Sequence, residues 1–155
     1  MVGTTISSVS AVQITNLTTT PVNCRGGADG TASVSVAGGS PPYVYNWSGA
    51  VGQNSPAVTG LSAGLQYVTI TDANGCAAVD SFTITEPTQG LTGYLVSTNA
   101  LCAGQNSGQL AAIVTGGTGS YSYNWSDGQT TAVADSLVAG TYTVTVSDAN
   151  GCTNT

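Results

Sequence analysis

Cysteine is the residue type with the clearest chemistry in this sequence. Four cysteines allow three disulfide connectivities in an oxidising compartment, and buried free thiols are the alternative. Zinc binding is not favoured, because the sequence has no Cys-x-x-Cys spacing and no histidine. The four candidate residues are Cys24, Cys76, Cys102 and Cys152.

Two segments of the pattern Asp-x-Asn-Gly could bind calcium, because they place side-chain oxygens on one side of a tight turn. The remainder of an EF-hand loop, including its closing glutamate, is missing. The sequence therefore favours a hairpin turn capped by the Asp side chain, and calcium shared with Asp29 or with an adjacent module is the alternative. The calcium candidates are Asp29, Asp72, Asn74, Asp148 and Asn150, and no other metal or cofactor is expected.

The sequence contains few residues that could act in catalysis. The chain has no histidine and no lysine that could act as a base. Its carboxylates stand singly or in turns and form no pair along the sequence. We therefore expect no enzymatic activity and assign no catalytic residue.

The charge of the chain restricts its partners. Seven acidic residues and one basic residue, Arg25, give a formal net charge of −6. Almost nothing could neutralise phosphates, so nucleic acid and anionic membrane surfaces are excluded as partners. The sequence has no apolar window of about 18 residues that could insert into a membrane. Residues 1–20 lack the pattern of a signal peptide, so we expect that any secretion signal has been removed.

The chain contains an internal repeat. The segment from Cys24 to Trp47 matches the segment from Cys102 to Trp125 at an offset of 78 residues, and both end in Tyr-x-Tyr-Asn-Trp. After a two-residue deletion, the segment from Leu61 to Cys76 matches the segment from Leu137 to Cys152 at an offset of 76 residues. Two copies of one module are therefore present.

Apolar and polar residues alternate within each module, which predicts half-buried β-strands. In repeat 2, for example, Tyr142, Val144 and Val146 alternate with threonines. Short strands between Gly, Pro and Asn-Gly, without any helical period, predict an all-β fold of two tandem immunoglobulin-like β-sandwiches. Trp47 and Trp125 are expected to fill the two cores, and the Asn-Gly dipeptides are expected to turn hairpins.

The repeat selects one disulfide connectivity. If each module is autonomous, the pairs are Cys24–Cys76 and Cys102–Cys152, because any other pairing would tie one copy to the other. Each bridge would close a loop of about 50 residues, which contributes roughly 4 kcal/mol to stability in the chain-entropy model.

The pattern Cys…Gly-Gly…Tyr-x-Tyr-x-Trp…Leu-x-Ala-Gly…Asp-Ala-Asn-Gly-Cys resembles the SprB repeat. That family occurs in tandem in gliding-motility adhesins and other very large surface proteins of the Bacteroidetes. Residues 102–152 carry the pattern nearly complete, and residues 24–76 depart from it at Gln66, where repeat 2 has Tyr142. The resemblance implies secretion, an extracellular location at the cell surface or in a matrix, an adhesive role and no catalytic residue.

Residues 1–16 are expected to form a separate N-terminal strand segment, followed by module 1 at residues 17–88 and module 2 at residues 89–155. Module 1 continues past Cys76 into an alternating segment that predicts a last strand, whereas repeat 2 stops three residues after Cys152 and is expected to lack its own last strand. Two hypotheses follow. The chain is a unit of a longer tandem polypeptide, or its N-terminal segment completes module 2 of a neighbouring subunit by β-strand donation. Self-completion within one chain is disfavoured, because the stretch from Leu17 to Asn23 spans at most about 25 Å and would have to carry the strand past repeat 1. The apolar residues assigned to the donated strand are Val2, Ile6, Val9, Val12 and Ile14.

We therefore predict a subunit or segment of a cell-surface or matrix fibre, assembled head to tail from identical subunits. The alternative is a carbohydrate-binding module displayed on a surface stalk, whose exposed tyrosine and threonine rows contact surface glycans. A glycan-array signal that tyrosine substitutions abolish would favour the alternative.

Overall fold

The computed structural model describes residues 10–50, 52–99 and 105–155, and all the regular elements in these ranges are β-strands. The predicted all-β class is therefore confirmed. The chain divides into two compact units between Glu86 and Pro87, two residues before the predicted boundary, and we call them module 1 and module 2. Module 1 contains β1 (Gln13–Thr20), β2 (Gly30–Ala37), β3 (Val44–Trp47), β4 (Ala57–Leu61), β5 (Gly64–Thr71) and β6 (Ala77–Ile84). Module 2 contains β7 (Thr92–Thr98), β8 (Gly108–Thr115), β9 (Ser122–Trp125), β10 (Val133–Leu137), β11 (Val144–Ser147) and β12 (Thr153–Asn154).

Module 1 consists of two three-stranded antiparallel sheets, in the orders β1-β2-β4 and β3-β5-β6. Both sheets supply the core, for example Val58 from the first and Val68 from the second. Trp47 is buried in this core, and its indole N–H donates to the Ser55 carbonyl at 3.0 Å, so the ring is buried without an unsatisfied donor. The arrangement is consistent with an immunoglobulin-like sandwich, which typically carries a buried tryptophan on its third strand.

Module 2 repeats this plan, with sheets in the orders β7-β8-β10 and β9-β11-β12. Trp125 is buried in its core and donates to the Thr131 carbonyl at 2.8 Å. The expectation that the two tryptophans fill the two cores is therefore confirmed. One difference separates the modules: β12 contains two residues, whereas its counterpart β6 contains eight.

Chain direction defines a leading end of module 1, where the chain enters the sandwich. There the Gly39 N–H donates to the Ser10 carbonyl at 2.7 Å, just before β1. The Ala73 N–H donates to the Ser40 carbonyl at 2.9 Å, which places the turn between β5 and β6 at the same end.

The opposite, trailing end of module 1 is where β6 leads out of the sandwich. There the Val22 N–H donates to the Thr85 carbonyl at 3.0 Å, and the Gly26 N–H donates to the Glu86 carboxylate at 2.7 Å. The eight residues of β6 connect the two ends, a distance of about 23 Å at roughly 3.3 Å per residue.

Candidate functional site

A groove in module 2 is the candidate site that the described residues define best. It encloses about 260 Å³ beside β11 and β7. In module 1 the counterparts of these strands are β5 and β1, and β6 pairs with β5 and contacts β1. The groove therefore occupies the position that β6 fills in module 1. Its apolar lining includes Leu95, Ala112, Val114, Tyr142, Val144 and Val146.

Beside the groove, the described residues of module 2 form a strand ladder of only two residue pairs. In module 1, β5 pairs with β6 along its whole length, from Gly64 to Thr71. In module 2, only Val146 and Ser147 pair with β12, and strand structure starts at Val144 instead of at Gly140, the counterpart of Gly64. Because β3 pairs with only the second half of β5, the first half depends on β6. Residues 140–143 therefore form no strand.

The walls of the groove expose apolar surface. The Leu95 side chain is 41% exposed, whereas its counterpart Leu17 is partly buried against the core of module 1, which β6 helps to close. The apolar lining of the groove is therefore accessible to solvent.

The outer face of β7 and β8 carries a second exposed apolar surface, formed by Tyr94, Val96 and Ile113. Tyr94 pairs with Ile113 across the two strands, so the two side chains share a face. The same positions on β1 hold polar residues, Asn16 and Thr18. Sequence reasoning missed this surface, although three consecutive apolar residues beginning at Tyr94 break the alternation and mark it.

Two residues assigned to the donated strand belong to module 1 itself, which corrects that prediction. Val12 is 5% exposed in the core of module 1, and Ile14 lies in β1 and packs against the same core. Apolar residues recur at short spacing both before and within β1, so the sequence did not show where the first module begins. Val2, Ile6 and Val9 lie outside the described residues.

The Asp-x-Asn-Gly segments form the predicted capped turns, and both aspartates are buried. The Asp72 Oδ1 accepts from the N–H groups of Asn74 and Cys76, both at 2.9 Å, and its Oδ2 accepts from the Ser40 N–H at 3.0 Å. The bond from Ser40 is the largest cause that lowers the pKa of Asp72, and burial opposes it. Asp72 therefore joins the turn to the loop after β2.

Asp148 makes the same contacts in module 2. Its Oδ1 accepts from Asn150 and Cys152, both at 2.9 Å, and its Oδ2 accepts from Thr118 at 2.8 Å. Burial raises the pKa of this carboxyl, but the hydrogen bonds from Thr118, Cys152, Asn150 and Gly151 together lower it below the ordinary value. The two turns are thus equivalent.

The calcium candidates are not brought together within module 1. Asp29 accepts from the backbone N–H of Asn23 at 3.0 Å near the trailing end, whereas Asp72 and Asn74 lie at the leading end. Among the described residues, no group of three or more His, Cys, Asp or Glu residues could hold a metal ion. Calcium bound with the help of an adjacent module stays a prediction.

The cysteines of module 1 lie too far apart for the predicted bridge. Cys24 is at the trailing end, near Gly26, and Cys76 is at the leading end, about 23 Å away, whereas the Cα atoms of a disulfide lie about 4.4–6.8 Å apart. Cys76 is a free, exposed thiol, and Cys24 and Cys152 are each disulfide-bonded. The Cys24–Cys76 prediction is therefore wrong. The Cys102–Cys152 prediction involves Cys102, which lies outside the described residues.

The course of the chain explains why the two cysteines are separated. β3 starts beside Thr71 at the leading end, and β4 finishes beside Gly30 at the trailing end, so these two strands run in the same direction. Between Cys24 and Cys76 the chain crosses the module three times, along β2, along β3 and β4 together, and along β5. An odd number of crossings leaves the cysteines at opposite ends.

The exposed tyrosines, which were predicted to contact glycans, are distributed over both modules. Tyr67 and Tyr94, two of the exposed tyrosines, belong to different modules, and glycan binding stays a prediction. No helix in the described part of the chain is long and apolar enough to cross a membrane.

Comparison with known families gives one match, found twice. The SprB repeat family model matches residues 16–52 and 95–130. Each matched segment begins in the first strand of a module and extends past the strand that carries the buried tryptophan. The resemblance inferred from the sequence is confirmed, although the segments from Leu61 to Cys76 and from Leu137 to Cys152 lie outside the matched residues. SprB repeats occur in secreted surface proteins. No curated protein matches the chain.

Proposed function

We propose, from the two SprB repeats that the chain carries, that this protein is a structural and adhesive subunit of an extracellular surface fibre. SprB repeats form a structural family of surface proteins, which supports a surface-associated, adhesin-like repeat region without enzymatic activity. In our proposal the subunits follow one another head to tail. A strand donated by each subunit fills the groove in module 2 of the subunit before it.

The observation that carries this proposal is the contrast between β6 and β12. β6 supplies module 1 with eight backbone pairs and with two buried apolar side chains, Phe82 and Ile84. Module 2 has the same two sheets and a tryptophan-centred core, but two residue pairs at the corresponding edge. An extended strand with alternate apolar residues would complete both the ladder and the core, which is the basis of binding by strand addition.

The donated strand in this proposal is the segment of residues 1–9, which precedes the first described residue. Nine extended residues span about 30 Å, enough to match the eight-residue β6. Val2 and Ile6 of this segment lie on one face of an extended strand, and the segment has no charged side chain, so it suits an apolar groove. The contact is heterologous, because donor and acceptor surfaces differ, and heterologous contacts that do not close produce open filaments.

Substitutions on the two sides of the contact test this proposal. Ile6→Asp places a charge in the donated strand, and Leu95→Asp places one in the groove. Both full-length variants are expected to remain monomeric in sedimentation velocity, whereas the unaltered chain forms filaments that are visible by electron microscopy. Val96→Asp is the matched control, because Val96 is the next residue of the same strand and faces the other side of the sheet.

Mixing the two variants sharpens the test. The Ile6→Asp chain retains an intact groove, and the Leu95→Asp chain retains an intact donor segment. An equimolar mixture is therefore expected to form dimers and nothing larger. An unaltered chain that stays monomeric at high concentration, or a Leu95→Asp chain that forms filaments as well as the Val96→Asp chain does, overturns strand donation.

A further inference from the structure

The two modules carry an aromatic ring on opposite sides of the same pair of strands. In module 1 the ring is Phe82 of β6, which pairs with Gln66 of β5 and packs against Trp47. In module 2 the counterpart of Gln66 is Tyr142, whose side chain is partly buried against the core of that module. The ring of module 1 thus belongs to the last strand, whereas the ring of module 2 belongs to the wall of the groove.

Tyr142 lines the groove, and two contacts define where its ring lies. Its hydroxyl donates to the Val138 carbonyl at 3.1 Å. The ring lies over Gly140, where an added Cβ atom would be 3.6 Å from it. At Gly64, the counterpart in module 1, an added Cβ atom would meet no other atom within 4 Å. The Tyr142 ring therefore occupies space that module 1 leaves open.

A strand added in the groove would extend β12, which ends opposite Val146. Because every second residue of a strand faces inward, its next inward positions would lie opposite Val144, Tyr142 and Gly140. The pairing in module 1 shows that the position opposite Tyr142 is the one that Phe82 fills on β6. A phenylalanine there would bring a second ring into space that already holds one, and overpacking of this kind destabilises a core.

We infer that Tyr142 determines which strand the groove of module 2 accepts, namely one with a small side chain opposite Tyr142. This inference rests on the proposed strand donation. Its consequence is that β6, which carries Phe82 at this position, is a poor ligand for module 2. A β6 strand that is released from module 1 of one subunit therefore does not displace the donated strand of another, and the groove discriminates between the two strands of the same chain.

The spacing of the sequence sets the register of the proposed donor, the segment of residues 1–9. Ile84 of β6 precedes Leu91, a buried core residue at the start of module 2, by seven residues. Ile6 precedes Val12, a buried core residue at the start of module 1, by six residues. The donor therefore places Ile6 where β6 has Ile84.

This register places a small residue opposite Tyr142. Thr4 stands two residues before Ile6, as Phe82 stands two residues before Ile84. Threonine is much smaller than phenylalanine, so the donor has the side chain that the groove requires. In the assembled module 2, the acceptor supplies the aromatic ring and the donor supplies the aliphatic side chain of Ile6.

Peptide binding tests the inference without relying on filament formation. The acceptor is the full-length Ile6→Asp chain, and the probes are fluorescently labelled peptides of residues 80–87, either native or with Phe82→Thr. Module 1 already contains this strand, so its own groove is filled. Fluorescence anisotropy is expected to give a dissociation constant about tenfold lower for the Phe82→Thr peptide. In an acceptor that also carries Tyr142→Gln, the residue of module 1, the native peptide should bind more tightly.

Variants of the full chain provide the matched controls. Tyr142→Phe removes the hydrogen bond to Val138 but keeps the ring, so the preference for the Phe82→Thr peptide should persist. Thr4→Phe should abolish filaments, and Tyr142→Gln in the same chain should restore them. Thr5→Phe should leave filaments intact, because successive residues of a strand face opposite sides.

Failure of the inference and failure of the assembly are distinguishable. If the Ile6→Asp chain binds both peptides equally, or if Tyr142→Gln neither reverses the preference nor restores the Thr4→Phe filaments, the role of Tyr142 is overturned and strand donation stands. If the Tyr142→Gln chain does not fold, the comparison of the two peptides on the Ile6→Asp chain still decides. If neither peptide binds and the unaltered chain forms no filaments, the proposed function itself fails.

Discussion

Phe82 of β6 meets Trp47 of β3 edge-on, with the ring centroids 5.7 Å apart and the ring planes inclined by 80°. This geometry is favourable for two aromatic rings because the positive edge of one lies against the negative face of the other. Phe82 is the only phenylalanine of the chain, so Trp125 has no such partner. The last strand of module 1 therefore contributes to the core as well as to the backbone ladder.

Removing this ring should destabilise module 1. Phe82→Ala is expected to lower the free energy of unfolding of module 1 by about 3–5 kcal/mol, because it leaves a cavity beside Trp47. Urea unfolding followed by Trp47 fluorescence measures the effect in a chain that also carries Trp125→Phe. Val79→Ala on the same strand is the control, since Val79 is 64% exposed and its replacement should change stability by about 0.5 kcal/mol or less. A loss no larger than that of the control would contradict the assignment.

The stability of both modules should fall in acid. The pKa values of Asp72 and Asp148 are lowered from the ordinary value of 3.8 in the folded state. Each carboxylate therefore adds stability that is complete above the unfolded pKa and is lost as the pH falls through the folded pKa. We expect the urea midpoint to decrease steadily below about pH 4.

Asparagine variants isolate this effect. Asp72→Asn removes the charge that the N–H groups of Ser40, Asn74 and Cys76 stabilise, so the variant should be less stable than the unaltered chain at neutral pH. The difference should shrink as the pH falls below the ordinary aspartate value of 3.8 and the native carboxyl becomes protonated. Asp80→Asn, at an exposed position, serves as the control. A difference that is constant across this pH range would show that the charge of Asp72 contributes nothing.

Chelation should leave both modules intact. The Asp72 and Asp148 oxygens already accept backbone N–H groups, which leaves little capacity for a calcium ion in these turns. EDTA is therefore expected to change the melting temperature by no more than a few degrees. A large decrease that calcium reverses and magnesium does not would establish a calcium site.

A strained residue in module 2 offers a stabilising substitution. Ser136 has a φ of 55° at the irregularity between Ala134 and Leu137, whereas its counterpart Gly60 has a φ of 79°. Left-handed backbone costs a residue with a Cβ about 1–2 kcal/mol, and glycine avoids that cost but loses more entropy on folding.

Ser136→Gly is therefore expected to stabilise module 2 by about 0.5–1 kcal/mol, and Gly60→Ser to destabilise module 1 by a similar amount. Urea unfolding monitored by the tryptophan of each module measures both changes. The two changes in the free energy of unfolding are expected to have opposite signs. A loss of stability in Ser136→Gly would show that the backbone of Ser136 is not strained.

The strands and the buried tryptophans could be predicted from the sequence because they depend on local alternation. Val144 and Val146 are buried and the threonines between and beside them are more exposed, as the period-two pattern requires. The capped turn at Asp72 was likewise predictable, since the Asp side chain bonds to the backbone two and four residues further along.

The separation of the cysteines and the start of the first strand could not be predicted from residue alternation. The separation of Cys24 from Cys76 depends on β3 and β4 running in the same direction, and strand direction leaves no trace in residue alternation. Val12 carries the same apolar pattern whether it belongs to module 1 or to a donated strand. Its position is decided by packing against the core of module 1, which is a property of the tertiary structure.

The separation of the leading and trailing ends also determines how module 1 responds to pulling. β1 begins at the leading end and β6 finishes at the trailing end, and each is hydrogen-bonded along its length to an antiparallel neighbour, β2 or β5. Tension applied at the two ends pulls β1 parallel to β2 and β6 parallel to β5. All the backbone hydrogen bonds of each ladder are therefore loaded in shear at the same time. A ladder loaded in this way resists force better than one that opens bond by bond from one end. A chain of such modules would therefore extend in steps, and each step would be the complete unfolding of one sandwich. Atomic force spectroscopy would record these events as separate, high-force steps.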